Sequence, residues 1–236
     1  VATLGVSVTG FAAVLNKLDK LDKKLDGVLN EISRVKEIVL ELQEDQNLLK
    51  ISDLELASQQ LSKAIEADSN ERRRELLTSS NNIFTKYKIY YLKLAQHNNL
   101  WEDNLLPIDI SHKIYSRYVT CALGEMYSEL LLGDLSVTYK TWETINKELK
   151  SISNFDKISI FRTHHDALIE NQKLDNNNLN NLKSQIKFTQ EMIDETTSRI
   201  DSLSYEIKYL ENKKIEPIEY IKQLKSMDDG IVIISA

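Results

Sequence analysis

From Phe11 onward the apolar residues fall at alternating steps of three and four: Phe11, Val14, Leu18, Leu21, Leu25, Val28, Ile32, Val35, Val39 and Leu42. An apolar repeat averaging 3.5 residues is the a/d seam of a coiled coil. Lys17, Asp19, Lys20, Asp22, Lys23, Lys24 and Asp26 lie between the seam positions and make a solvated face of mixed charge. Leu54, Leu61 and Ile65 extend the seam weakly beyond Gln46, which interrupts it. The pattern predicts one long helix, or two nearly collinear ones, over residues 11–75. A second seam runs through Leu179, Leu182, Ile186, Thr189, Ile193, Thr196, Ile200, Leu203, Ile207 and Leu210, softened at its two threonines. It predicts a C-terminal coiled-coil helix within residues 173–225, limited or kinked at Pro217.

Residues 76–172 read differently. Twelve of the seventeen aromatic residues lie between Phe84 and Phe161, including both tryptophans, a density that suits a globular core. One helix is expected through Ile83, Tyr87, Tyr90, Tyr91 and Leu94, and Pro107 breaks the chain. A second is expected from about Ile110 to Leu132, ended by Gly133, and a third follows over "SVTYKTWETINKELKSI". Leu123-Gly124-x-x-Tyr127 followed by Gly133-Asp134 resembles a tetratricopeptide helical hairpin. A solenoid needs several repeats and there is one copy, so an isolated hairpin is expected. The tail, 226–236, is apolar and β-branched and suits a short strand pairing with a partner chain, or a disordered end.

Glycine and proline support the helical reading. Residues 28–106 and 134–216 contain neither, whereas turns call for them, glycine for positive φ and proline for its fixed negative φ. The fold expected is all-α, with the N- and C-terminal heptad helices forming a long antiparallel stalk and 76–172 a compact aromatic-rich head. A coiled coil between chains would use the same seams equally well.

The first fifteen residues are the exception to the charge pattern, because they carry none. Gly5, Thr9 and Ala13 are spaced four apart, with Val8 beside them. Small residues at that spacing let helices approach closely, above all in membranes. Fifteen helical residues span about 22 Å, short of the roughly 30 Å hydrocarbon core. Residues 1–15 are therefore expected to be a membrane-facing helix that is the end of a longer span, or a core-facing helix in an oligomer.

The net charge of −6 argues against a nucleic-acid partner, which needs a basic face. Arg72–Arg74 is flanked by Glu71 and Glu75 and reads as a solvated helix face. The single cysteine, Cys121, excludes an intrachain disulfide and suits a reducing compartment. Among candidate chemical groups, His164, His165, Asp166 and Glu170 are potential metal ligands, and His165-Asp166 is similar to the dyad of the HD phosphohydrolases. That family needs further His and Asp ligands on other helices, and no motif surrounds His97 or His112. Adjacent histidines on a helix also point about 100° apart, so a surface or capping role is expected, with no metal, no cofactor and no small-molecule substrate. No phosphate-binding glycine loop, Cys-x-x-Cys pair or nucleophile elbow is present.

Three readings of function follow. The first is a non-enzymatic, membrane-associated helical protein that oligomerises through its seams. Its plan of long helices with one uncharged segment resembles that of bacterial α-helical pore-forming toxins, and the resemblance implies a toxin-like or defence-effector role. The second is a soluble coiled-coil scaffold that binds a protein partner. The third is an enzyme resting on His164–Glu170 alone. The partners expected are a second copy of the chain or another protein, and a membrane under the first reading. The location expected is cytoplasmic, at the inner face of a membrane where residues 1–15 engage one.

Overall fold

A computed structural model describes residues 33–97, 100–101 and 108–221, with side chains from residue 50 onward. Every regular element among them is a helix. They are α1 (Ser33–Glu66), α2 (Asn70–His97), α3 (Ile108–Leu132), α4 (Leu135–Ile152), α5 (Lys157–Glu170) and α6 (Asn176–Lys213), with one further helical turn at 217–221.

The helix starts follow from short polar side chains. Ser69 Oγ accepts from Arg72 N at 3.2 Å, Asp134 Oδ1 from Val137 N at 3.0 Å, Asp156 Oδ1 from Ile158 N at 2.9 Å and Asp175 Oδ1 from Asn178 N at 2.8 Å. Each satisfies a first-turn amide that has no partner within its helix. Ser69 also marks where the structure departs from the expected 11–75 helix. The chain leaves α1 at Glu66, turns, and starts α2 at Asn70. Arg73 secures the turn rather than lying on a solvated face. Its Nε and Nη2 donate to the carbonyls of Ala64 (3.3 Å) and Ala67 (2.8 Å), and its Nη1 donates to Asn70 Oδ1 (2.7 Å). A guanidinium on the last carbonyls of a helix satisfies orphan acceptors and meets the negative end of the dipole. Arg72 fits the sequence reading, being exposed and paired with Glu75 at 3.1 Å.

Gly133, at φ +91°, makes the turn between α3 and α4. Two other helices end in the left-handed region without glycine, at Gln172 and Lys214, both with φ 54°. At α5 the amides of Gln172 and Lys173 bond back to Ile169 and Leu168. At α6 those of Lys214 and Ile215 bond back to Glu211 and Leu210. Both are Schellman ends.

The described helices gather into two compact units. Of the described residues, the first comprises 33–85, 123–138 and 206–221, the second 86–97, 100–101, 108–122 and 139–205. Residues from the 76–172 stretch contribute to both units. Helices of 25 to 38 residues, such as α2, α3 and α6, are long enough to serve two cores in turn.

In the first unit, Ala57, Leu61, Ala64 and Ile65 of α1 are buried, as are Leu76, Leu77 and Phe84 of α2, Met126, Tyr127 and Leu130 of α3, and Ile207 and Leu210 of α6. Here α2 and α3 run antiparallel, tied by Asn81 Nδ2 to Glu129 at 2.6 Å and Thr85 Oγ1 to Glu125 at 2.9 Å. Ser80 Oγ donates to Ala57 O of α1 at 2.9 Å. Gly124 has a packing role: a Cβ there would meet three ring carbons of the buried Phe84 at 2.6 Å. Gly124→Ala is therefore expected to destabilise the protein by up to about 2 kcal/mol. Helix propensity favours Ala by about 1 kcal/mol, but overpacking a core costs typically about 1–3 kcal/mol. A raised unfolding midpoint in urea would show that the ring yields freely.

In the second unit, Tyr91, Tyr115, Tyr118, Ile145, Ile200 and Leu203 are among the most deeply buried side chains. Three helices are joined around one carboxylate: Glu148 of α4 lies 3.4 Å from Lys88 Nζ of α2 and accepts from Tyr118 Oη of α3 at 2.9 Å.

The C-terminal seam positions Leu182, Ile186, Thr189, Ile193, Ile200, Leu203, Ile207 and Leu210 are all buried. Within the second unit, α6 meets α3 and α4, helices expected to belong to a separate head. Trp142 Nε1 of α4, for example, donates to Ile200 O at 2.8 Å. The N-terminal seam residues Leu18, Leu21, Leu25, Val28 and Ile32 lie outside the described residues. So do Gly5, Val8, Thr9 and Ala13, and the tail 226–236. No described helix is long and apolar enough to cross a membrane.

Candidate functional site

The densest polar–aromatic constellation in the second unit forms where α3 meets α6. His112 and Tyr115 stand one turn apart on α3, and Thr189 and Thr196 one heptad apart on α6. His112 Nε2 lies 2.6 Å from Thr189 Oγ1, which itself donates to Gln185 O at 2.7 Å. A hydroxyl has one proton to give, so Thr189 accepts from His112, whose Nε2 carries a proton. Tyr115 Oη bonds Thr196 and Ser153, the latter at 3.4 Å.

Aromatic rings enclose these groups. Trp101, in the turn after α2, has its ring centroid 6.3 Å from His112, 5.9 Å from Tyr115 and 5.2 Å from Phe155, and its Nε1 donates to Ile152 O at 2.6 Å. Phe188 meets His112 edge-on at 5.0 Å. Burial in this apolar shell pulls the His112 pKa down to about 4. It pushes Tyr115 up to about 12, against the opposing effect of its hydrogen bonds to Ser153 and Thr196. Both groups therefore hold their neutral forms near pH 7. The site can fix the register of α6 against α3, because sliding either helix would strand the buried His112–Thr189 pair.

Sequence reasoning did not single out His112, Trp101 or Tyr115 as a group. The available signal was the pair of threonines one heptad apart in an otherwise aliphatic seam, since each marks a place where the facing helix supplies a polar partner.

The histidines that the sequence did single out lie on α5. Burial lowers the pKa of His164. His165 stacks on Phe161 at 5.6 Å, and its Nδ1 lies 3.3 Å from Asp166 Oδ1. The His165–Asp166 contact is thus local to one partly exposed helix. Among the described residues no group of three His, Cys, Asp or Glu side chains is placed to hold a metal ion. Cys121 is a fully buried thiol that forms no disulfide. Comparison with protein-family models, with curated proteins and with solved structures finds no match for this chain.

Proposed function

We propose that the protein is a non-enzymatic, membrane-associated helical protein whose N-terminal segment engages a bilayer and whose N-terminal seam assembles copies of the chain. The observation that carries this reading is the abrupt change at Lys17: sixteen uncharged residues run directly into a charged heptad repeat. A segment without charge on any face avoids the about 2.5–3.5 kcal/mol that each buried charge costs at a bilayer centre. The seam from Phe11 to Leu42 supplies a means of assembly. The polar groups around His112 support a structural role for the helical body, because they are paired with one another and enclosed by rings. A toxin-like or defence-effector role at the inner face of a membrane is the class that this plan fits. A second reading, a soluble scaffold, is favoured by the unbroken seam Leu18–Ile32, which suits a partner chain equally.

Flotation with vesicles tests the reading. Wild-type chain is expected to float with lipid. Val8→Arg is expected to remain in the aqueous fraction with an unchanged melting temperature, because the heptads begin only at Phe11. Wild-type protein that never floats, together with a Val8→Arg variant of lowered stability, would favour the scaffold.

A further inference from the structure

Helix α5 is the most lightly packed of the described helices, with Ile160 its one buried residue. Ile158 is 71% exposed and Ile169 50% exposed. Eleven residues separate them, about three turns, so they share one face to within about 20°. Arg162 and Asp166, both exposed, flank that line on one side. Phe161 and Leu168, partly exposed, flank it on the other. An aliphatic side chain left seven-tenths in water on a helix is a site that gains by being covered.

We propose that this face of α5 is a self-association surface, on which two copies of the chain pair through antiparallel α5 helices related by a twofold axis. Ile158 of each copy then lies opposite Ile169 of the other. In an antiparallel pair, residues on the same flank meet across the interface, so Arg162 of each copy falls opposite Asp166 of the other, twice. The sequence order makes both matches at nearly one register: the centres of 158 with 169 and of 162 with 166 differ by half a residue, about 0.75 Å along the helix. A parallel pair instead sets Arg162 level with Arg162 and Asp166 level with Asp166. Fourteen residues give a contact about 21 Å long, at the small end of specific interfaces, so the pair is reversible and separates on dilution. The surface is independent of residues 1–42 and of the membrane reading.

Cysteine cross-linking in the full chain reads the register directly. Ile158→Cys and Ile169→Cys replace exposed side chains, and circular dichroism should show the fold intact. Oxidation of a mixture of the two variants with copper phenanthroline should give a disulfide-linked dimer of twice 27.2 kDa. Either variant alone should not, because identical positions lie about 16 Å apart along the antiparallel pair. Adding Arg162→Asp to both chains should slow linkage at least tenfold, and Arg162→Asp with Asp166→Arg should restore it. No linkage in the mixture, or equally fast linkage of Ile158→Cys alone, overturns the proposal. Linkage seen only with phosphatidylglycerol vesicles present also overturns it, and makes the face a lipid-binding one.

Discussion

Ile200→Asp should lower the melting temperature by roughly 10 °C. Ile200 is 1% exposed in the C-terminal seam, and Trp142 covers its turn by bonding the Ile200 carbonyl at 2.8 Å. A carboxylate placed there loses its water, or takes up a proton and still lacks the aliphatic contacts it replaces. Either outcome falls among the largest single-residue effects, about 4 kcal/mol or more. For a chain of this length each kcal/mol shifts the midpoint by about 2–4 °C. Ser198→Asp, two residues away and exposed, should change it by no more than about 1–2 °C, because surface substitutions stay within about 0.5 kcal/mol. Equal shifts in the two variants, read by thermal denaturation, would contradict the buried seam.

Stability should fall steeply as pH drops from about 6.5 to about 4, by roughly 3 kcal/mol on account of His112. Its folded pKa of about 4 lies below the ordinary value near 6.5, so the unfolded chain takes the proton more readily. The stabilisation is complete above pH 6.5 and is lost as pH falls through 4. The cause is burial alone. Asp109, also buried one turn earlier on α3, does not reverse it. His164, whose pKa burial also lowers, contributes in the same direction. In urea titrations from pH 7 to pH 4, His112→Asn should start less stable at pH 7 and lose much less stability on acidification. A variant that loses as much as wild type would remove His112 as the cause.

The helices were legible because their signals are local and repeated: apolar periodicity, the long runs without glycine or proline, and Gly133 at the α3–α4 turn. The reversal between α1 and α2 was not. Its marker is Asp68-Ser69-Asn70, a short polar run without glycine, and Arg73, which fastens it, resembles its solvated neighbours Arg72 and Arg74. The ends of α5 and α6 were obscured in the same way, since Gln172 and Lys214 take up a conformation that usually announces itself as glycine. The seam of α6 was legible as a buried stripe, but periodicity identifies which face is covered and not what covers it. The partners came from tertiary pairing. Thr189 reads as a weak point in the seam until His112 is set against it, and Thr196 until Tyr115 is.

Where residue 8 resides when lipid is present tests the functional proposal most directly. An environment-sensitive fluorophore can be placed on Val8→Cys, with Ser198→Cys as the exposed control, because the native thiol of Cys121 is fully buried. On addition of vesicles, emission from position 8 should shift to the blue and be quenched by nitroxide-bearing lipid, while emission from position 198 should not change. Emission from position 8 that does not respond to vesicles or to the lipid quencher would contradict membrane engagement by residues 1–15.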